Sequence, residues 1–197
     1  MVERPLEKGI VRMARVLVPL AKGFEDIEAV TVVDVLRRGG VEVVTASISD
    51  SVEVESAHGI AVKADALIRD VSGDEYDAIV LPGGGEGTEN LRHCEPLIVR
   101  LRRQNEERRL ICAICAAPVV LVEAGVAEEG RHMTCYPSMM LELDRSYVNV
   151  PVVADGNLIT GQAPGSAMLF ALVILQTLVG EAKTRKISRG MVTDVLG

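Results

Sequence analysis

The sequence predicts one α/β domain built around a mostly parallel β-sheet. Short aliphatic runs alternate with segments of helical spacing through nearly the whole chain, which is the pattern of strands joined by crossover helices. The chain is 48% hydrophobic but contains only two Phe, three Tyr and no Trp. Its core must therefore be aliphatic, as in strands that are buried on both faces. A length of 197 residues suits one domain with a sizeable core.

The first strand–helix–strand unit sets the topology. Residues 16–20 and 41–46 are predicted strands, and residues 25–38 between them form a helix that ends at Gly39-Gly40. Such a unit gives a parallel strand pair with a right-handed crossover. The predicted inward stripe of this helix is Ile27, Val30, Val33 and Leu36.

The same signals recur further along the chain. The later predicted elements are strands 78–81 and 110–114, hairpins around His58-Gly59 and Asp155-Gly156, and helices 88–91, 96–107, 115–124 and 166–179. The domain is expected to span residues 13–183, with an N-terminal extension at 1–12. Residues 184–197 are expected to form a polar tail with a short helical turn near 191–196.

Charge and hydropathy narrow the function classes. The formal net charge of −7 argues against a binder of nucleic acid. No apolar run approaches the roughly 20 residues of a membrane span, and the first residues lack the apolar centre of a secretory signal. A cytoplasmic protein is expected, so its four cysteines are interpreted as thiols rather than as a disulfide framework.

Cys115 lies where a predicted buried strand turns into a helix. Strand 110–114 leads into it, and the small-residue segment Ala116-Ala117-Pro118 follows. A residue at such a turn is displayed at the carboxyl edge of the sheet, with backbone N–H groups directed at its side chain. A helix N-terminus favours the thiolate, which is the nucleophile. The pattern indicates a cysteine nucleophile elbow, and a buried apolar cysteine is the alternative.

Gly83-Gly84-Gly85 follows strand 78–81 and reaches the same sheet edge, where open parallel sheets bind ligands. Glycine lets the backbone approach a ligand with its N–H groups free. Together with the amide of Ala116, this segment would form an oxyanion hole. The alternative is a tight turn that needs glycine for its geometry.

A carboxylate at the start of the first helix would lie beside Cys115. Like-charge repulsion between a carboxylate and a thiolate raises both pKa values, and one shared proton resolves the conflict. Glu28 would then act as a general acid or base. Its spacing alone does not distinguish it from Glu25 and Asp26.

The other sulfur and imidazole groups have weaker claims to function. Cys112 and Cys115 form a Cys-x-x-Cys, but Cys112 lies inside the apolar strand and no further cluster supplies zinc ligands, so it is interpreted as structural. Cys135 is a candidate resolving thiol. The residues expected at the surface or at a helix start, without a catalytic role, are Cys94, His58, His93 and His132.

These motifs together resemble the ThiJ/PfpI superfamily, in the branch of the Parkinson-associated protein deglycase. The resemblance covers residues 13–180. The blocks that carry it are Ala21-Lys22-Gly23-Phe24-Glu25-Asp26-Ile27-Glu28, Leu81-Pro82-Gly83-Gly84, Ala113-Ile114-Cys115-Ala116-Ala117-Pro118 and Pro164-Gly165.

The resemblance implies a flavodoxin-like three-layer sandwich and a homodimer. It implies Cys115 as nucleophile, a protonated Glu28 touching its sulfur, and an oxyanion or substrate site at Gly83, Gly84, Ala116 and Tyr136. No cofactor or metal is implied.

Two positions depart from the animal members of the family. Tyr136 stands where those members carry a pocket histidine, and Lys63 stands where they carry a peripheral cysteine. Tyrosine, with an ordinary pKa of about 10, is a poor base near neutrality. Glutamine amidotransferases share the elbow but need a later His-x-Glu, and no histidine follows His132.

The function expected is cofactor-free chemistry on reactive carbonyls, of the glyoxalase or deglycase type. Substrates would be small carbonyls such as methylglyoxal, or glycated thiols and amines. The alternative is a redox sensor or redox-regulated chaperone that acts through oxidation of Cys115. A cysteine peptidase is a third possibility, weakened because no histidine is evident as the partner of Cys115.

Overall fold

A computed structural model describes residues 12–127 and 130–193. Its strands are β1 (Arg15–Leu20), β2 (Glu42–Ser47), β3 (Glu53–Glu55), β4 (Ala61–Lys63), β5 (Ala66–Leu67), β6 (Ala78–Leu81), β7 (Leu110–Ile114), β8 (Val152–Asp155) and β9 (Leu158–Gly161). Its α-helices are α1 (Asp26–Arg38), α2 (Ile68–Val71), α3 (Gly85–Arg92), α4 (Glu95–Glu106), α5 (Pro118–Glu123), α6 (Met140–Leu143), α7 (Ala167–Val179) and α8 (Glu181–Gly190).

Seven strands form one sheet in the order β5-β2-β1-β6-β7-β9-β8, and β3 pairs with β4 in a separate hairpin. Every neighbouring pair in the large sheet is parallel except β8 and β9, which are antiparallel. The strands alternate with helices along the chain, so the connections run over the faces of the sheet. The predicted α/β class, its mostly parallel sheet and both hairpins are confirmed.

Helices cover both faces of the sheet, and the fold is a flavodoxin-like three-layer sandwich. Val16 and Val18 point into the core under α1 and α7, whereas Leu17 points into the core under α4 and α5. Alternate side chains of a strand face opposite layers, which is why the strand residues are apolar without interruption. In the described part of the chain, no helix has both the length and the apolar character needed to cross a membrane.

The predicted inward stripe of α1 is wrong at its first two positions. Ile27 and Val30 are each 55% exposed, and the buried face instead consists of Glu28, Ala29, Val32, Val35 and Leu36. Successive residues of a helix are about 100° apart. A spacing of three residues therefore drifts around the helix, and Ile27 lies opposite Leu36.

The C-terminal segment forms helix α8 directly after Gly180, whereas the sequence predicts a tail or a short helix from residue 184. The helical turn predicted near residues 191–196 lies partly outside the described residues. Ile187 and Met191 of this segment pack against the core beneath α7. The helix therefore runs across the domain boundary expected at residue 183. Residues 1–11 and 194–197 lie outside the described residues.

Candidate active site

Three neighbouring strands end at the candidate site, because β1, β6 and β7 are adjacent in the sheet. The loop after β1 meets the loop after β6 where the Glu25 N–H donates to the Gly83 carbonyl at 3.0 Å. Cys115 follows β7 directly. The sheet order thus brings together the three segments that the sequence predicts to converge.

Cys115 occupies a sharp turn at the end of β7. Its φ of 64° lies in the left-handed region, which non-glycine residues rarely adopt. The Cys115 N–H donates to the Gly161 carbonyl at 3.0 Å, and the Tyr136 N–H donates to the Cys115 carbonyl at 2.7 Å. The turn is thus held by hydrogen bonds on both sides of the residue.

Glu28 is fully buried in the first turn of α1. Its Oε2 atom accepts a hydrogen bond from the Gly83 N–H at 2.7 Å. Its Oε1 atom is buried and has no hydrogen-bond partner in the described part of the chain. Cys115 lies next to this carboxyl, since the Cys115 Cβ and the Glu28 Oε2 both pack against Gly83. Complete burial distinguishes Glu28 from the acidic neighbours Glu25 and Asp26, whose side chains retain some exposure.

The backbone of Gly83 fills the space between the nucleophile and the acid. A Cβ atom at this position would lie 2.7 Å from the Cys115 Cβ and 2.8 Å from the Glu28 Oε2. Gly84 has a φ of 96° and sits immediately before α3. The backbone N–H groups of Gly84 and Ala116 lie near the Cys115 thiol, and each lowers its pKa.

The electrostatics of the pair are dominated by burial. Burial raises the pKa of Glu28 to about 7, opposed by the Gly83 N–H and the Cys115 thiol. Burial, followed by the Glu28 charge, raises the pKa of Cys115 to about 12 despite the two N–H groups. The backbone N–H groups lower the pKa of Cys115, as the turn predicts, but burial and the Glu28 charge outweigh them. The cause is local, since α5 begins only at Pro118 and the thiol is enclosed beside a carboxyl.

The segment before Tyr136 folds back over the elbow. The Thr134 N–H donates to the Thr160 hydroxyl at 2.9 Å, which ties this segment to β9. The Tyr136 N–H donates to the Cys115 carbonyl. The Tyr136 residue is nevertheless 45% exposed. Tyr136 therefore lies at the elbow, with its ring at the surface rather than enclosed.

The other cysteines are packed in the interior. Cys112 is completely buried in β7, where burial raises its pKa well above the ordinary value. Cys135 is completely buried in the layer under α4 and α5, and burial raises its pKa to about 11. All four cysteines are free thiols, and a role for Cys135 as a resolving thiol stays a prediction.

One contact near the site escaped the sequence analysis. The His58 ring, on the loop between β3 and β4, has its Nδ1 atom 2.6 Å from the Asp26 Oδ2 and 3.9 Å from the Glu25 Oε1. Hydrogen bonding to Asp26 raises the pKa of His58, and the Glu25 charge adds to this. Within the described ranges these three side chains form the one group with the composition and spacing to hold a metal ion. No sequence motif links residues so far apart.

Comparison with known proteins gives a consistent result. The family described as the DJ-1/PfpI family matches residues 14–177. Protein DJ-1 homolog B of Arabidopsis thaliana is 39% identical over 180 residues, which is 90% of this chain. The glutathione-independent glyoxalase DJR-1.2 of Caenorhabditis elegans is 35% identical over 179 residues, covering 89% of this chain and 94% of the relative.

The structural similarity is equally extensive. The crystal structure of Drosophila melanogaster DJ-1beta superposes with a TM-score of 0.89 and 38% identity, over 92% of this chain and 98% of that one. The chain spans less than half the length of the two Arabidopsis thaliana relatives, 41% of homolog B and 45% of homolog A.

Proposed function

The chain belongs to the DJ-1/PfpI family, and we propose that it converts small reactive carbonyl compounds without a cofactor, using Cys115 as nucleophile and Glu28 as the proton-transferring group. The observation that carries the proposal is the buried juxtaposition of Cys115 and Glu28, which both pack against the backbone of Gly83. A relative named as a glyoxalase supports the class of reaction. Glycated thiols and amines are further candidate substrates, because they carry the same carbonyl-derived carbon.

With methylglyoxal, the Cys115 sulfur would attack the aldehyde carbon as Glu28 takes the thiol proton. The resulting oxyanion would accept hydrogen bonds from the Gly84 and Ala116 N–H groups. Glu28 would return the thiol proton to this oxygen, which gives a hemithioacetal and leaves Glu28 ionised. Glu28 would then take the proton of the former aldehyde carbon and deliver it to the adjacent carbonyl carbon through an enediol. The first carbon is oxidised and the second reduced, so no external redox partner is needed. Water then hydrolyses the lactyl thioester, which releases lactate and restores the thiol.

Two substitutions test this assignment. Cys115→Ser is expected to abolish lactate formation from methylglyoxal, because it removes the nucleophile. Glu28→Gln keeps the shape of the side chain but cannot take a proton, and it is expected to lower kcat/KM about 100-fold or more. Lactate would be measured by enzymatic assay on purified protein.

Cys94→Ser is the matched control, since it removes a buried thiol at the start of α4 and should leave lactate formation unchanged. Circular dichroism would check that all three variants are folded. Full activity in Cys115→Ser or in Glu28→Gln would refute the proposed mechanism.

A second candidate function is redox sensing through Cys115. Cys115 retains 8% exposure, close to the 9% of Cys94, whereas Cys112 and Cys135 have none. The two N–H groups near the Cys115 thiol could also bind a sulfinate oxygen. Stoichiometric oxidation at Cys115 by dilute peroxide, in a protein with no measurable turnover of methylglyoxal, would favour the sensor over the enzyme.

A homodimer in the cytoplasm belongs to the same proposal. Helices α1 and α7 pack side by side, and each exposes two large apolar residues, Ile27 and Val30 on α1 and Met168 and Leu169 on α7. Such side chains are typical of a surface covered by another chain. Four free thiols suit a reducing compartment.

A further inference from the structure

A buried arginine without a counterion lines a pocket on the face of the sheet that α4 covers. Arg100 lies in the middle of α4 and is only 2% exposed. Its Nη2 atom donates to the Gln104 Oε1 at 2.7 Å. The Nε and Nη1 atoms are buried, and no acceptor in the described part of the chain reaches them.

Gln104 cannot neutralise this charge. Its Nε2 atom donates to the Tyr76 carbonyl at 3.0 Å and to the Leu110 carbonyl at 3.2 Å. Those two bonds fix the amide so that its oxygen faces Arg100. The guanidinium is therefore oriented by a neutral partner, and its positive charge remains unbalanced.

The nearby carboxylates are bound to other arginines. Glu107 forms ion pairs with Arg103 at 2.7 Å and with Arg109 at 3.2 Å. Glu75 pairs with Arg109 at 3.1 Å. Burial lowers the pKa of Arg100; the Glu107 charge opposes this effect, and the charges of Arg103 and Arg109 add to it. Glu107 and Glu75 are thus paired with Arg103 and Arg109, and neither forms an ion pair with Arg100 in the described part of the chain.

A pocket of about 500 Å³ lies between the end of α2 and the first half of α4, and Arg100 forms part of its wall. Arg100 shares its lining with Ser72, Gly73, Glu95, Pro96, Val99 and Arg103. The volume is within the usual range for a small-molecule site. Arg103 and Ser72 add a second positive charge and a hydroxyl, and Glu95 disfavours ligands with several negative charges.

We propose that this pocket binds a small oxyanion, a phosphate group or a carboxylate, through the Arg100 guanidinium. A buried charge left unpaired is costly, and guanidinium binds planar and tetrahedral oxyanions through several N–H groups at once. The anchor of Arg100, Gln104, bonds to Leu110 at the start of β7, whereas Cys115 follows the end of that strand. The pocket is therefore a second site, separate from the cysteine.

Inorganic phosphate is the first probe, titrated into the purified full chain by calorimetry at constant ionic strength. Saturable binding is expected, together with a rise in Tm, because a ligand of the folded state stabilises it. Arg100→Met should raise the Kd for phosphate at least about 10-fold, since it removes charge-assisted hydrogen bonds. Acetate, titrated in parallel, distinguishes a carboxylate site from a phosphate site by which anion binds more tightly.

Arg102→Met is the matched control, because Arg102 lies on the same helix but donates to the Ala124 carbonyl and does not line the pocket. It should keep the wild-type Kd. Val99→Glu is a second variant at a half-exposed lining position, and its carboxylate should compete with phosphate without disturbing the core. The proposal fails if the wild type shows no saturable anion binding, or if both Arg100→Met and Val99→Glu bind phosphate as tightly as the wild type.

Discussion

At the scale of single residues, the proton shared by Cys115 and Glu28 decides what the site can do. Below a pH of about 7 both groups hold their protons, because burial raises the pKa of Glu28 to about that value. Above it the pair carries one proton and one negative charge. That singly protonated state can supply a nucleophilic sulfur together with an acid to receive or return the proton, so it is the state expected to react.

The pH dependence of the reaction follows from this proton count. The kcat/KM for methylglyoxal is expected to rise with pH through an apparent pKa of about 7 and then level off. A pH series of initial rates in buffers of equal ionic strength would measure it. A midpoint near 4.5, the ordinary value for a glutamate, would contradict the burial argument.

Stability should change with pH in the opposite direction. A carboxyl whose pKa is higher in the folded than in the unfolded state stabilises the protein when protonated, and this contribution is lost as pH rises from about 4.5 to about 7. The wild type should therefore lose roughly 3 kcal/mol of unfolding free energy relative to Glu28→Gln between about pH 4 and pH 8. Urea unfolding of both proteins at each pH gives this difference.

Gly83 offers a test of how closely the site is packed. Gly83→Ala would place a methyl group between Cys115 and Glu28, at 2.7 and 2.8 Å from their atoms. The overpacking should cost about 2 kcal/mol of stability and most of the activity, since it separates the acid from the sulfur. Thermal unfolding and the lactate assay would measure both effects.

Gly85→Ala is the control for this substitution, because nothing lies within 4 Å of a Cβ atom there. It should leave stability and activity close to the wild-type values. If Gly83→Ala and Gly85→Ala lowered stability and activity equally, the cause would be the loss of glycine backbone flexibility in this loop and not the close contact at Gly83.

At the scale of elements, α1 serves both the site and the surface. Its buried face carries Glu28 to the sulfur, while Ile27 and Val30 on another face are exposed. The spacing of Glu28, Val32 and Val35 marks the buried face, and it would have singled out Glu28 among three acidic neighbours. The apolar residues alone predicted the wrong face of α1, because the carboxylic acid Glu28 occupies one position of the buried face.

The exposed face of α1 can be tested as a subunit interface. Val30→Glu is expected to convert a dimer into monomers, raising the dimer Kd about 100-fold or more, because an unpaired charge in an apolar interface is costly. Light scattering coupled to size exclusion would measure the mass. Leu141→Glu, at a more exposed apolar residue, should leave the mass unchanged, and a Val30→Glu protein with unchanged mass would rule out this face.

At the scale of the whole molecule, the strand order explains why the site was predictable and its charge state was not. The buried strands and the three segments at their carboxyl ends follow from apolar runs and turn residues, and parallel topology brings such ends to one edge. The raised pKa values depend on how completely Cys115 and Glu28 are enclosed, which no local pattern encodes. The same holds for the burial of Arg100 and for the contact of His58 with Asp26, because both depend on packing between segments that are far apart in the sequence.

Helix α8 shows the same limit at the end of the chain. Its sequence is mostly polar and basic, and only a few apolar residues such as Ile187 and Met191 contact the core. Two apolar residues four apart are a weak helical signal. Helix α8 can therefore be identified only from its packing in the folded structure, and not from its sequence.

The left-handed turn at Cys115 bears on how this protein would change under laboratory evolution. A non-glycine residue in that region is strained by about 1 kcal/mol, and glycine or asparagine adopts it more easily. Selection for thermal stability alone would therefore reward replacement of the cysteine, whereas selection for turnover would retain it. The proposed nucleophile thus occupies a position where stability and catalysis favour different amino acids.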